Sequence, residues 1–332
     1  MTLEEAFTGL QQDVDADAEV VAEARRRRDA FRGAFDKESD VQRTFASGSF
    51  ARGTQIEPIK DVDLLVLYDS TAHPDWGQPG DSAEAALEHL RSRIKDLLGS
   101  DRVDPGSGID AVRRTEVRHH AVTCWLDDPE DPDAFTVDVV PVLNRVEDGL
   151  PRGFWIPEVP TRQWIASDPL YLIARVLERH RESGGQFVKR ERLLKRFNAD
   201  HGKLMKGLTI EIMGLSHMPD GPIHESLATF LAAAETYVWQ PILDPAGLCG
   251  EIEPDLDRAA ACEAFKEAAS LAWRANTAAE RGEVEKAICL WGQIFQAMPQ
   301  PPGGCDSHLA VTAGAAAVAV GSPRRVRDLQ QG

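Results

Sequence analysis

No Cys-x-x-Cys pair and no pair of histidines at metal-ligand spacing occurs in this chain of 332 residues. Its five cysteines, Cys124, Cys249, Cys262, Cys289 and Cys305, are scattered and odd in number. That spacing argues against a disulfide framework and a Cys/His zinc site, and predicts reduced thiols. The start, Met1-Thr2-Leu3-Glu4-Glu5, lacks the basic and apolar regions of a secretion signal, so a cytoplasmic location is expected. The longest apolar stretch, Leu309 to Val320, is too short and too rich in Ala and Gly to span a bilayer, and no membrane partner is expected. Basic residues are scarce: 37 Lys and Arg stand against 54 Asp and Glu, a formal charge of −17. A protein that grips long nucleic acid needs a strong basic footprint. This balance argues against such a partner.

The length and the 42% hydrophobic content allow one large or two small domains with a sizeable core. What stands out is Gly48-Ser49-Phe50-Ala51-Arg52-Gly53-Thr54, followed by Asp61-Val62-Asp63 at the head of an apolar run, Leu64-Leu65-Val66-Leu67. On a strand, side chains at i and i+2 share a face, so Asp61 and Asp63 point the same way. Two carboxylates held that close repel unless a cation sits between them, and Mg²⁺ prefers carboxylate and phosphate oxygens. The Gly48-Ser49 turn supplies backbone N–H groups and a hydroxyl for phosphate. Together these describe a nucleoside triphosphate and its metals.

A third acid lies in Phe135-Thr136-Val137-Asp138-Val139-Val140, a β-branched run in which a lone carboxylate needs a reason. Thr115 to Trp125 also reads as a strand, which puts Asp138 on an antiparallel neighbour of the Asp61/Asp63 strand. Three converging carboxylates suffice for two Mg²⁺ (or Mn²⁺) roughly 3.5–4 Å apart, the arrangement of in-line phosphoryl chemistry. Asp138 would ligate the metal that activates the attacking hydroxyl, or accept its proton directly. Singly, a D-x-D or a Gly-Ser is weak; the ordered set is far more specific.

GSFARGTQIEPIKDVDLLVLYD resembles the signature of the DNA polymerase β-type nucleotidyltransferases, and within them the bacterial cGAS/DncV-like nucleotidyltransferases of CBASS anti-phage systems. TVDVVPVL is similar to that family's third-acid strand, IPEVPTRQWIASDP to its Pro/Trp segment, and RLLKRFNADHGKLMKGLTIEIM to its helical-lobe lysine segment. PILDPAG and AICLWGQIFQAMP resemble its Asp-Pro turn and closing helix. The resemblance implies an α+β fold: a polymerase β-like catalytic lobe with a mixed sheet, a helical lobe, and a long N-terminal helix along both. It implies a Mg²⁺-dependent enzyme that joins NTPs, ATP among them, into a cyclic di- or trinucleotide and releases pyrophosphate. Catalytic, metal-binding Asp61, Asp63 and Asp138 and nucleotide-binding Gly48 and Ser49 follow. Lys195 and Lys206, otherwise read as a solvated face with Arg192 and Arg196, become candidates for the triphosphate. Many relatives have Ser where this chain has Gly207, which removes one phosphate contact beside Lys206. The resemblance also implies a candidate E1/E2-like conjugating partner at Gly332, against the plainer reading of a frayed tail. The rival function is transfer to another acceptor: an RNA end, a small-molecule hydroxyl or a protein.

Along the chain, apolar spacing predicts one helix over 3–37 and another from Ala83 to Leu98 with Ser82 as its N-cap. The Arg25–Arg28 run is expected to be solvated or acid-paired. Pro151, Pro157 and Pro160 suggest an extended crossover with Trp164 as a core anchor. Helices follow over Leu170–Arg181, Val188–Asp200, Leu204–Leu215, Ile223–Val238 and Pro254–Phe295, the last split near Arg281-Gly282. The expected division is a catalytic lobe over 1–165, a helical lobe over 166–299 and a flexible tail over 300–332.

Overall fold

The N-terminal helical pattern breaks at Asp15-Ala16-Asp17, giving α1 (Leu3–Val14) and α2 (Ala18–Phe35) where the sequence predicts a single helix. The cause is local. Asp15 takes an extended backbone, and the Asp17 carboxylate accepts a hydrogen bond from the Glu19 N–H (2.8 Å), starting a second helix. The two pieces serve different cores. Leu3, Phe7, Leu10 and Val14 of α1 pack into a helical core, with Phe7 edge-on to Trp291 at 5.1 Å, whereas Ala24, Phe31 and Phe35 of α2 cover a sheet. The computed structural model describes residues 1–104 and 106–309. Gly332 and most of the predicted tail lie outside them.

The sheet is built from β1 (Val41–Ser47), then, past the short helix α3 (Gly48–Arg52), β2 (Asp61–Tyr68). Helix α4 (Ser82–Leu98) leads to β3 (Arg114–Val117), β4 (Val122–Trp125), β5 (Thr136–Glu147), β6 (Leu150–Glu158) and β7 (Gln163–Ser167). The order is β1-β2-β5-β4-β3, with β6 on β5 and β7 on β6. Strand β2 is apolar on both faces because both are covered. Val62, Leu64, Val66 and Tyr68 meet α2 and α4, while Leu65 and Leu67 pack with Val142, Phe154 and Ile156 on the other side.

Four sequence expectations are corrected here. Strand β5 runs parallel to β2, not antiparallel, with Asp61 opposite Thr136 and Asp63 opposite Asp138. The intervening α4 and β3–β4 supply the long crossover that parallel neighbours require, and the antiparallel partners of β5 are β4 and β6. Thr115 to Trp125 is a hairpin of two strands, turned between Arg118 and Ala121. The proline-containing segment forms the β6–β7 hairpin instead of a crossover. Trp164 on β7 is buried and donates its indole N–H to Ser82 Oγ (2.9 Å). That contact also shows why Ser82 is not the cap of α4: Asp81 holds the cap position, and the Ser82 hydroxyl donates to the Gln78 carbonyl.

Helices α5 (Pro169–Glu182), α6 (Phe187–Asp200), α7 (Gly207–His217), α8 (Ile223–Tyr237), α9 (Arg258–Glu280) and α10 (Val284–Ile294), with the short α11 (Asp306–Leu309), form the rest. Gly282 marks the α9–α10 break, with φ +80°. Arg26 and Arg27 on α2 are acid-paired, to Glu23, Asp110 and Asp127. The thiol expectation is corrected for two cysteines: Cys289 on α10 is disulfide-bonded to Cys305, with Cα atoms 5.5 Å apart. The chain folds back after α10, a reversal that cysteine spacing does not reveal. Cys124, Cys249 and Cys262 are free. Among the described residues, no helix is long and apolar enough to cross a membrane.

Candidate active site

The carboxylates converge because of strand geometry. Asp61 and Asp63 alternate onto one face of β2, and the parallel register sets Asp138 of β5 directly beside Asp63. Two of the three acids lie in surroundings that penalise charge. Burial, then the charges of Asp61 and Asp138, push the Asp63 carboxyl up to about 7, against the pull of Arg52 and Lys195. Burial and Asp61 also raise Asp138, opposed by a Thr123 hydrogen bond and Arg118. Asp138 Oδ1 is enclosed and has no hydrogen-bond partner in the chain. Clustered carboxylates with an orphaned inward oxygen are a donor set that fits a hard divalent cation.

Gly48 presses against this set. It has φ +69°, and a Cβ built on it would fall 1.6 Å from Asp63 Oδ2. Only glycine lets the backbone approach the carboxylate this closely. Gly48→Ala would push Asp63 aside, and a misplacement of about 1 Å at a reacting centre costs roughly 10²-fold. We expect that loss of turnover in a purified Gly48→Ala protein whose circular dichroism is unchanged. Turnover within a few-fold of wild type would show that Asp63 does not need its present position. Ser49, next on α3, lines two adjoining cavities of ≈ 420 and ≈ 380 Å³.

Lys195 reaches the first cavity with Gly48, Ser49 and Asp63, and is only 10% exposed. It belongs to a buried ion cluster, not to a solvated face. Its ammonium pairs with Glu211 and lies 3.4 Å from Thr54 Oγ1. Arg52, at the end of α3, donates to both Glu211 oxygens at 2.7 and 3.1 Å. Burial alone would raise Glu211, but Arg52 and Lys195 together hold it below its ordinary range. Glu191 is wholly buried beside it with both oxygens unpartnered, and burial followed by the Glu211 charge pushes its carboxyl well above the usual carboxylate range. Arg192 and Arg196 are part-buried and paired: Arg192 donates to the Gly53 carbonyl (2.9 Å) and Asp15 (2.6 Å), and Arg196 to Asp200 (2.9 Å). Lys206 begins α7 and lines the second cavity with Ser49, Asp61 and Lys195. Gly207 abuts the Lys195 stem, 3.6 Å from a would-be Cβ to Cε. The Asp-Pro turn is formed by Asp244, which accepts from the N–H groups of Ala246, Leu248 and Cys249 beside the first cavity.

Arg52, Thr54 and Glu211 were not singled out from sequence. The available signal was an arginine inside the Gly-Ser motif and a glutamate in the apolar run Thr209-Ile210-Glu211-Ile212-Met213. Buried charges come in sets, so each predicts the other.

Known proteins resemble the chain in part of its sequence and in its fold. Residues 1–107 match the Second Messenger Oligonucleotide or Dinucleotide Synthetase (SMODS) domain. A probable cyclic nucleotide synthase of Bacillus cereus (strain VD146) is 23% identical over 274 residues, spanning 73% of this chain and 80% of that protein. The fold is similar to that of Escherichia coli MS115-1 CdnC with ATP, with a TM-score of 0.68 at 15% identity over 90% of this chain and 99% of that one. It is also similar to that of Vibrio cholerae DncV in its 3′-deoxy GTP bound form, with a TM-score of 0.63 at 12% identity over 90% and 96%. At such identities the superpositions speak to the fold, and the synthetase match falls on the very segment that carries Gly48, Ser49, Asp61 and Asp63. Over residues 1–107 the chain matches a second-messenger synthetase domain, and its fold is similar to those of CdnC and DncV.

Proposed function

We propose that the protein joins nucleoside triphosphates, ATP among them, into a cyclic di- or trinucleotide second messenger for anti-phage defence in the cytoplasm. The observation that carries the chemistry is the Asp63–Asp138 register with Asp61 on the same face, closed against Gly48. Asp61, Asp63 and Asp138 would hold two Mg²⁺, or Mn²⁺ in their place, which would supply charge neutralisation for an in-line displacement at phosphorus. The Gly48 backbone and the Ser49 hydroxyl hold the triphosphate. Lys195 meets its β- and γ-phosphates from α6, and Lys206 approaches from the start of α7. A ribose hydroxyl of one nucleotide attacks the α-phosphorus of another. The new P–O bond forms as the bond to the β-phosphate oxygen breaks, pyrophosphate departs, and Asp138 is placed to accept the hydroxyl proton. A second transfer closes the ring. The catalytic machinery falls within residues 1–165 and the lysines within 166–299. The net charge of −17 supports free nucleotides over long nucleic acid as substrates.

The test is incubation of the pure protein with the four NTPs and Mg²⁺, no other acceptor, and mass spectrometry of the products. A cyclic oligonucleotide with pyrophosphate is expected. Consumption of NTP only after addition of an RNA, a small-molecule alcohol or a protein would replace this reading with transfer to that acceptor. Ser49→Ala should weaken nucleotide binding about 2- to 10-fold, the worth of one neutral hydrogen bond. Lys195→Ala should cost roughly 10- to 100-fold, because its contact is charge-assisted. Equal NTP affinity in wild type and Lys195→Ala, measured by calorimetry, would remove Lys195 from the phosphate site. The conjugation expectation at Gly332 concerns a residue outside those described. It is tested separately, by mass spectrometry for an adduct with an E1/E2-like enzyme and ATP.

A further inference from the structure

At the far end of β2 from the acids, three segments bring together a set of metal-ligating side chains that the nucleotide site does not use. Asp40 precedes β1, His73 sits in the turn after β2, and His89 lies on the inner side of α4. His73 Nε2 is 2.8 Å from Asp40 Oδ2, and His89 Nε2 approaches the same oxygen to 3.7 Å. One ligand atom from each residue falls within 4.8 Å of the other two. His89 Nε2 is enclosed, yet it has no hydrogen-bond partner, since 3.7 Å is too long for one. Among the described residues, no lysine or arginine forms an ion pair with Asp40, whose carboxylate pairs only with the two imidazoles. The rings are held in an aromatic wall. His73 stacks on Trp76 at 3.9 Å, and both imidazoles stand edge-on to buried Tyr68.

We propose that Asp40, His73 and His89 form a binding site for one divalent transition-metal ion of the zinc type. Tetrahedral nitrogen and oxygen ligands at 2.0–2.1 Å stand about 3.3–3.4 Å from one another. The separations of 2.8 and 3.7 Å bracket that value, so small side-chain movements would suffice. Two imidazoles and one carboxylate suit Zn²⁺ and its neighbours and do not suit Mg²⁺, which takes oxygen ligands. The site therefore selects a different ion from the acid triad. Tyr68 and Asp61 are at opposite ends of β2, about 20 Å apart at strand rise, so the ion is structural. It ties the start of β1 and the 69–80 turn to α4, leaving the fourth position for water.

The experiment uses the untagged full chain, stripped with a chelator and equilibrated with 10 µM Zn²⁺ in millimolar Mg²⁺, which fills the triad. One bound Zn²⁺ per chain is expected by elemental analysis, with a rise in Tm. His73→Ala and His89→Gln should each weaken Zn²⁺ binding at least tenfold and abolish the Tm rise, while Asp63→Asn should leave both unchanged. Co²⁺ added to the wild type should give visible d–d bands without the near-ultraviolet charge transfer of thiolate ligation. That measurement does not depend on the variants folding. Failure of the wild type to bind Zn²⁺, equal Zn²⁺ binding by the histidine variants, or a thiolate band with Co²⁺ would overturn the proposal.

Discussion

Replacing Asp63 with alanine is expected to lower product formation at least ~10³-fold while the protein stays folded, since loss of a metal ligand removes several kcal/mol of charge neutralisation. Folding survives because the removed carboxyl is one that the metal-free protein holds at a cost. Buried and crowded by Asp61 and Asp138, Asp63 binds its proton up to about pH 7, against about 3.9 in an unfolded chain. The native state thus holds the proton more tightly than the unfolded state does. The stability this provides is present below pH 4 and is lost as the pH rises toward 7. Asp63→Asn has no such proton to lose. Without metal at pH 8 it should be more stable than wild type by on the order of 2 kcal/mol, and the gain should disappear near pH 4. Urea unfolding at the two pH values measures the difference. Substantial turnover by pure Asp63→Ala, or a wild type that outlasts Asp63→Asn at pH 8 without metal, would refute the assignment.

Glu211→Ala should destabilise the protein by about 3–5 kcal/mol, because it strands two buried cations, Arg52 and Lys195. For a chain of this size that is a fall in Tm of roughly 4–7 °C. The triple variant Arg52→Met/Lys195→Met/Glu211→Met should recover much of the loss, since a buried ion cluster and a well-packed apolar one are often comparable. Calorimetry of the single and triple variants decides. A Glu211→Ala protein within 1 kcal/mol of wild type would mean that water reaches these charges and that the cluster does not hold α3 to α7.

The acids were legible because a strand's alternation is a local property: Asp61 and Asp63 share a face whatever lies next to them. The direction of their neighbour was not legible. The run around Asp138 reads the same in a parallel or an antiparallel strand, and only the path of α4 and β3–β4 decides. The helical lobe was legible from period, with boundaries within a few residues. The break at Asp15–Asp17 was not, since both aspartates fit the polar face of a continuous helix as well as they fit caps. The ion cluster of Arg52, Lys195 and Glu211 and the group of Asp40, His73 and His89 each draw residues from separate elements, so no spacing rule reports them. Lys195 was named for the triphosphate, and its pairing with Glu211 needed the fold.

The parallel pairing of β2 with β5 also governs how the chain can be cut. The synthetase match ends at residue 107, after β2 and α4 but before β5. A fragment ending there would contain Asp61 and Asp63, yet it would leave the inner edge of Asp61 to Leu67 without its ladder partner. An open apolar edge of that length is a template for intermolecular strand addition. In the growing polypeptide the same edge waits until Thr136–Val142 has been made, a long-range closure that is slow relative to local helix formation. Expression trials of shortened versions should therefore keep everything through β5, and shorter pieces should accumulate as aggregates.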